Sequence, residues 1–174
     1  MNAPALPRRG AAEAGMTLLE VLIAILVLSF GMLGMLGLLL SGLRLTTSSN
    51  YRNIATLETQ AIGDLVRANS QNLSLYDVPA GAGAGSAVAA CFTGGGCGSS
   101  ANRVTTELAL WRGRLAMMLP AGAGVICRDS TLADGAPDDW RCDGAAGAQF
   151  VVKVCWDESR VPTSPAVNCI QTNL

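Results

Sequence analysis

A glutamate at the edge of a long apolar run is the residue of this chain that most needs a chemical partner. Glu20 precedes residues 21–40, a stretch without a single charged side chain. A carboxylate inside a membrane costs about 2.5–3.5 kcal/mol at the centre and less near the interface. Cleavage after Gly15 would create an amino group at Met16, which could pair with Glu20 of the same or a neighbouring chain. The alternative is an acid that reaches the membrane surface and has no role.

The second reactive group consists of six cysteines in the C-terminal half: Cys91, Cys97, Cys127, Cys142, Cys155 and Cys169. An even number of cysteines beyond an apolar segment predicts disulfides in an oxidising compartment. A zinc site is the alternative, but it is disfavoured because the closest cysteines have five residues between them. Six cysteines allow fifteen connectivities, which the sequence cannot choose among. Sequential pairing, Cys91–Cys97, Cys127–Cys142 and Cys155–Cys169, would staple three local loops, each adding about 2–4 kcal/mol.

Residues that commonly carry catalysis are missing or badly placed. The chain contains no histidine, which removes the commonest general base and the commonest metal ligand. Asp157 and Glu158 are adjacent, and adjacent residues of a strand point to opposite faces. The aspartates between residues 128 and 147 lack the spacing of a calcium loop and are expected to form a solvated loop: Asp129, Asp134, Asp138, Asp139 and Asp143. We therefore expect no enzyme activity, no metal and no cofactor.

Positive charges lie on the short N-terminal side of the apolar run. An ordinary secretory signal has its apolar region before the cleavage site, whereas here the basic leader, residues 1–15, comes first. Twenty uncharged residues at about 1.5 Å per residue match a hydrocarbon core of about 30 Å. Arg8 and Arg9 favour a cytoplasmic N-terminus. The rest of the chain is then expected in the periplasm, on a single-pass anchor in the inner membrane.

The string Gly-Met-Thr-Leu-Leu-Glu, residues 15–20, resembles the class III signal of type IV prepilins and pseudopilins. The resemblance implies that prepilin peptidase cuts after Gly15 and that the new N-terminus, Met16, is methylated. It also implies that Glu20 is needed for assembly, by pairing with the amine of an adjacent subunit. Met16 departs from the phenylalanine that is commoner in major pilins, and methionine is seen more among minor pilins and pseudopilins.

The resemblance implies an α+β type IV pilin fold. Its long N-terminal helix has a hydrophobic half in the membrane or filament core, and its second half packs on a small antiparallel β-sheet head with disulfides. Four regions are expected: the leader 1–15, a transmembrane or filament-core helix 16–42, an amphipathic helix half 43–78, and a periplasmic head 79–174. No proline lies between Pro7 and Pro79, so the helix is predicted from about residue 17 to about residue 69.

Apolar residues recur at steps of three and four in the second half of this helix and predict its packing face: Ile54, Leu57, Ala61, Leu65 and Ala68. Four glycines interrupt the first half: Gly31, Gly34, Gly37 and Gly42. They favour close helix packing, with local melting of the helix as the alternative.

A second resemblance covers residues 15–70. The glycine-studded anchor, the pair Tyr51-Arg52 and the run 67–69, Arg-Ala-Asn, look like those of PilV-type minor pilins. The segment 111–124, with its Trp and Leu-Pro-x-Gly-x-Gly, resembles their head. For residues 67–69 there is a simpler interpretation, because arginine suits a helix C-terminus and asparagine suits the helix stop.

The head is predicted to begin with a glycine-rich loop, residues 79–102, which composition does not allow to form a core. A helix over 103–118 follows, with an apolar stripe formed by Leu108, Trp111, Leu115 and Met118. Leu119-Pro120 ends that helix. Val125-Ile126-Cys127 begins a strand, and the alternation over residues 150–156 predicts a half-buried antiparallel strand.

Together these features favour a minor pilin of a type IV pilus, with roles in pilus biogenesis, twitching motility, adhesion or DNA uptake. Its expected partners are prepilin peptidase and other major and minor pilins, which it meets through the N-terminal helix. After assembly the subunit would lie in the pilus at the cell surface. One alternative is a minor pseudopilin of a type II secretion system, and another is an adhesive or DNA-binding tip module. A net charge of −1 does not favour nucleic acid as a partner.

Overall fold

The computed structural model describes residues 15–78, 85–131, 134–137, 139–159 and 166–174. Leader residues 1–14, Asp138 and part of the glycine-rich loop lie outside the described residues. The regular elements, in chain order, are α1 (Leu18–Ala68), 3₁₀ helices at Ser70–Tyr76 and Ala89–Phe92, α2 (Ser100–Met118), β1 (Ala123–Asp129), β2 (Gln149–Asp157) and β3 (Val167–Asn173). The chain divides into two compact units, residues 1–45 and 46–174.

The described part of the first unit is the N-terminal portion of α1. All of its side chains from Gly15 to Leu45 are exposed, although most of them are apolar. Two of the polar exceptions, Ser29 and Ser41, are satisfied within the helix, since Ser29 donates to the carbonyl oxygen of Ile25 at 2.7 Å and Ser41 to that of Gly37 at 3.1 Å. Serine hydroxyls that bond within their own helix suit a non-aqueous environment. Within the described residues, α1 is the single helix long and apolar enough to cross a membrane.

The second unit contains a three-stranded antiparallel sheet in the order β1-β2-β3. Val125 lies opposite Lys153 in the first pair of strands, and Cys155 lies opposite Cys169 in the second. The long helix, the small antiparallel sheet and the disulfides of the predicted α+β layout are thus present. The third strand was not predicted, because its sequence is largely polar.

One face of the sheet packs on α2 and on the second part of α1. The centre of this core is formed by Ile62, Val66, Trp111, Leu115, Ile126, Val152, Val154 and Trp156, all at most 1% exposed. The Trp111 indole nitrogen donates to the carbonyl oxygen of Glu58 at 3.2 Å, and Arg114 Nε lies 3.1 Å from the Glu58 carboxylate. Both contacts tie α2 to α1 at the same turn.

The predicted packing face of α1 is wrong except at Ile54, which is partly buried against the core. Leu57 is 64% exposed, Ala61 and Leu65 are also exposed, and the buried residues are Ala55, Thr59, Ile62, Gly63 and Val66. Three of these five residues are small, Ala55, Thr59 and Gly63, and at Gly63 the C-terminal residue Leu174 approaches the helix closely. An alanine Cβ at position 63 would lie 3.2 Å from Leu174 Cδ2.

The second helix follows its prediction in part. Leu108, Trp111 and Leu115 are buried as expected, but Met118 is 47% exposed and Val104 takes its place in the stripe. Helix α2 also begins at Ser100, earlier than predicted. Its N-cap is Ser99, whose hydroxyl oxygen accepts from the backbone N–H of Asn102 at 3.2 Å.

The prediction of a half-buried β2 is also wrong, because both faces are covered. Residues 150–156 are all buried. The face opposite the helices forms a second apolar cluster with the connection between β1 and β2: Val125, Cys127, Trp140, Val151 and Cys155. Lys153 lies in this strand with a fully buried side chain, although its place in the alternation suggested solvent.

Candidate functional site

The N-terminal segment presents Gly15 and Met16 at the surface, immediately before the first turn of α1. Thr17 opens the helix, because its carbonyl oxygen accepts from the N–H groups of Glu20 at 3.1 Å and Val21 at 3.2 Å. The Thr17 hydroxyl oxygen also accepts from the Glu20 N–H at 3.3 Å. Thr17 was not singled out from the sequence, but the spacing Thr-x-x-Glu is the sequence signature of a helix N-terminus.

Glu20 therefore lies in the first turn of α1, where a negative charge suits the positive end of the helix dipole. Its side chain is exposed, and none of the ion pairs among the described residues involves it. The segment can thus offer one carboxylate to a cation outside the chain. The apolar surface beyond it is also uncovered, including Leu22, Leu26 and Phe30.

The cysteines form three sequential disulfides. Cys91–Cys97 closes a short loop beside the second 3₁₀ helix, Cys127–Cys142 ties β1 to the connection that follows it, and Cys155–Cys169 joins β2 to β3. The prediction of disulfides is confirmed, and this pairing is the sequential one among the fifteen possibilities. Thr106 fixes the first loop on α2, because its hydroxyl lies 3.2 Å from Cys91 Sγ and accepts from the Val88 N–H at 2.9 Å.

A buried lysine and the acidic residues around it form the most concentrated group of charges in the head. The side chains of Lys153 and Asp129 form an ion pair in which both are fully buried. Lys153 Nζ lies 3.3 Å from Asp134 Oδ1 and donates to the carbonyl oxygens of Asp134 at 3.0 Å and Trp140 at 2.8 Å. We call Lys153, Asp129, Asp134 and Trp140 the lysine cluster. It fastens the β1–β2 connection over the sheet.

The expectation of a solvated acidic loop is therefore wrong for Asp129, which ends β1 in the interior. Burial would raise the pKa of Asp129, but the contact with Lys153 and the N–H and hydroxyl of Thr131 outweigh burial and lower it. Asp139 does face solvent, in a loose pair with Arg141 at 3.6 Å. The pKa of the Asp143 carboxyl is lowered by the Ala145 N–H and by Ser130.

Asp157 and Glu158 act separately, in line with their adjacent positions. Asp157 accepts from the N–H groups of Ser159 at 2.7 Å and Ala166 at 2.9 Å, so it braces both ends of the β2–β3 connection. The Ser159 hydroxyl and N–H, together with the Ala166 N–H, lower the pKa of Asp157. Glu158 instead accepts from the Trp156 indole nitrogen at 2.9 Å.

Helix α1 ends at Ala68, close to the predicted stop. Arg67 pairs with Asp64 at 3.1 Å, and the Asn69 side chain donates to the Tyr76 hydroxyl at 3.2 Å. Tyr76, which ends the 3₁₀ helix after α1, is fully buried. Arg67 and Asn69 thus each have a structural partner, Asp64 and Tyr76.

Comparisons with protein-family profiles, with functionally characterised proteins and with solved structures find no match to this chain.

Proposed function

We propose that this chain is a PilV-like minor pilin of a type IV pilus. In this proposal prepilin peptidase cuts after Gly15, the new N-terminus at Met16 is methylated, and the subunit joins the filament through α1. The head stays in the periplasm until assembly and lies on the pilus surface afterwards. The protein then has a structural role in priming or decorating the filament rather than a catalytic one.

The observation that carries the proposal is the pairing of an exposed acid with an uncovered apolar helix. Glu20 lies one turn from the proposed cleavage site, and the helix that it opens is exposed throughout residues 18–45. Such a surface needs a lipid or protein environment, because apolar area in water costs about 25 cal/mol per Å². Burial of α1 among like helices supplies the driving force, and the ion pair between Glu20 and a neighbouring amine sets the register.

The head supports the same proposal. Three disulfides and a sheet covered on both faces give a small unit that withstands an extracellular environment. Among the described residues of α1, the buried ones begin at Ala55, and residues 18–45 are all exposed. The anchor is thereby left available for assembly.

The decisive test is the variant Glu20→Ala, expressed in a strain that lacks the natural gene. We expect normal cleavage after Gly15 and normal membrane insertion, but at least a tenfold drop in the amount of subunit in sheared pili. Asp64→Ala is the matched control, because Asp64 is another exposed carboxylate of α1. Mass spectrometry of the N-terminal peptide reports cleavage and methylation, and immunoblots of pilus and membrane fractions report incorporation.

Two results would contradict the proposal. An intact leader on subunits in isolated pili excludes processing by prepilin peptidase, and full incorporation of Glu20→Ala excludes the register role of the acid. The alternative of a type II secretion pseudopilin predicts the same processing but no subunit in long surface pili. A strain without the gene would then lose protein secretion and keep its pili.

A further inference from the structure

The lysine cluster has no part in the proposed assembly, yet its chemistry is unusual. Lys153 is the single lysine among the twelve basic residues of the chain. It is fully buried beside the buried carboxylate of Asp129. Two buried charges are expensive to remove from water, and their attraction repays that cost only with good geometry. The hydrogen bonds around Lys153 Nζ therefore decide whether the two groups can only attract each other or can also react.

The hydrogen-bond donors of Lys153 Nζ point away from Asp129. Nζ donates to the carbonyl oxygens of Trp140 and Asp134 and to Asp134 Oδ1. The Oδ2 atom of Asp129 touches Nζ in the ion pair, but it does not lie in the direction of a hydrogen bond. Once Nζ has passed one proton to Asp129 Oδ2, its two remaining hydrogens serve the two carbonyl oxygens, and its lone pair faces the Asp129 carboxyl group.

Thr131 prepares the Asp129 carboxyl group as an acceptor of a nucleophile. Its backbone N–H lies 2.9 Å from Asp129 Oδ1, and its hydroxyl lies 3.1 Å from the same oxygen. Two donors on one carboxyl oxygen stabilise the negative charge that develops there when the carbon is attacked. Among the described residues no donor forms a hydrogen bond with the other oxygen, Oδ2, which makes it the natural leaving group.

Asp134 lies where it can transfer a proton from Lys153 Nζ to the Asp129 carboxyl group. Its Oδ1 lies 3.3 Å from Lys153 Nζ, and its Oδ2 lies 3.1 Å from the Thr131 hydroxyl. The Asp134 side chain is one third exposed, whereas those of Lys153 and Asp129 are fully buried. A carboxylate at the edge of a dry site, within reach of the amine, fits the role of general acid and base.

We propose that Lys153 and Asp129 condense into an isopeptide bond that covalently joins β1 to β2. The Lys153 ammonium first gives one proton to Oδ2 of Asp129, which it contacts in the ion pair, so that a neutral amine faces a neutral carboxyl group. Nζ then attacks Cγ of Asp129 and forms the C–N bond, and Oδ1 carries the developing negative charge. Asp134 takes a second proton from the attacking amine and delivers it to Oδ2. The C–Oδ2 bond then breaks, and the oxygen leaves as water. An ammonium and a carboxylate become one neutral amide and one water, so neither an oxidant nor a cofactor is needed.

The surroundings favour the amide over the ion pair. Holding the two groups in contact gives effective concentrations on the order of 10⁵ M or more, and exclusion of water opposes the reverse hydrolysis. The neutral amide also removes two buried charges. The two carbonyl oxygens keep their donors afterwards, because the amide N–H still serves Trp140 and the Gln171 side chain already donates to the Asp134 carbonyl at 3.1 Å.

Peptide mapping of the wild-type chain tests the bond directly. After full reduction, alkylation and trypsin digestion, a free Lys153 yields the separate peptides 129–141, 142–153 and 154–160. The isopeptide instead protects Lys153 from trypsin and gives one branched peptide, residues 129–141 joined to 142–160, lighter than their sum by one water. This readout does not involve the N-terminus and is therefore independent of the pilin proposal.

The variants Asp129→Ala and Asp134→Asn separate the roles within the cluster. Asp129→Ala should abolish the branched peptide. Asp134→Asn keeps a hydrogen-bonding oxygen but cannot carry the proton, so bond formation should slow by about 10²–10⁴-fold. Complete cleavage at Lys153 in the denatured digest of wild-type protein that was purified in its folded form would overturn the proposal. Unchanged cross-linking in Asp134→Asn would overturn the role of Asp134. A branched peptide in the wild type alone, with linear chain accumulating in Asp134→Asn, supports both.

Discussion

The Tyr76 hydroxyl donates a 2.5 Å hydrogen bond to Glu107 Oε2, and this bond joins the 3₁₀ helix that follows α1 to the side of α2. Glu107 is itself held by Arg103, one turn earlier on α2, at 2.9 Å. Burial of the phenol and the hydrogen bond to Glu107 raise the pKa of Tyr76 from 10.0 to about 12. The contact between these two elements is therefore sensitive to alkali.

The first prediction concerns stability at high pH. Between pH 10 and pH 12 the unfolded chain has lost the Tyr76 proton, whereas the folded chain retains it. The free energy of unfolding should therefore fall as the pH rises through this window. Denaturant melts from pH 9 upward measure how the free energy of unfolding changes with pH. This change should be smaller in Tyr76→Phe, which has no phenol to ionise. An equal slope in both proteins would show that Tyr76 ionises normally.

The second prediction compares alanine substitutions at two glycines, Gly124 in β1 and Gly113 in α2. A Cβ at Gly124 would lie 2.5 Å from Trp111 Cη2 and 2.6 Å from Leu115 Cδ1, both in the core. Gly124→Ala should therefore destabilise the head by about 1–3 kcal/mol through overpacking. Gly113→Ala is the control, since no atom of another described segment lies within 4 Å of its Cβ and an alanine within a helix should stabilise by up to about 1 kcal/mol. Thermal melts with similar shifts for both variants would contradict the close packing of β1 on α2.

The third prediction concerns Asp157, the last residue of β2. The hydrogen bonds from Ser159 and Ala166 lower the pKa of Asp157 below its usual 3.8. Asp157 therefore contributes stability above that value, and the contribution is lost as the pH falls through its folded pKa. Asp157→Ala should be less stable than the wild type at pH 7, and the difference should shrink towards pH 2. A difference that does not change with pH would exclude the charged carboxylate as its cause.

The fourth prediction ranks two disulfides. Cys155–Cys169 closes a longer loop than Cys91–Cys97, with sequence separations of 14 and 6. In a chain-entropy estimate, replacing both cysteines of the former pair by alanine should cost about 3 kcal/mol, and replacing those of the latter about 2 kcal/mol. The loss of the first should be larger still because Cys155 is buried in the second apolar cluster. The reverse order in chemical denaturation would show that the Cys91–Cys97 loop is the more important brace.

The anchor and the end of α1 could be predicted from the sequence because each depends on local chemistry. Twenty uncharged residues specify an apolar helix, and Arg67 with Asn69 marks its stop. The buried face of α1 could not be predicted in this way. Thr59 and Gly63 do not count as apolar, yet they are buried because the head approaches the helix more closely than larger side chains would allow.

The lysine cluster could not be predicted either, and the reason differs from that for the buried face of α1. Lys153 alternates with Val152 and Val154, and a charge in that pattern normally faces water. It is buried because the β1–β2 connection folds back over the sheet and places Trp140 and Asp134 above it. A loop that covers a strand from a distance leaves no periodic signal in either segment. Asp129 was misread as solvated for the same reason.

The order of the three disulfides has a consequence for how the head matures. Each cysteine is joined to the next one in the chain, and no bridge encloses or crosses another. A thiol oxidase that acts on cysteines in the order in which they leave a translocation channel would therefore make the native pairs directly. Production of this protein should depend on such an oxidase and be indifferent to the loss of a disulfide isomerase.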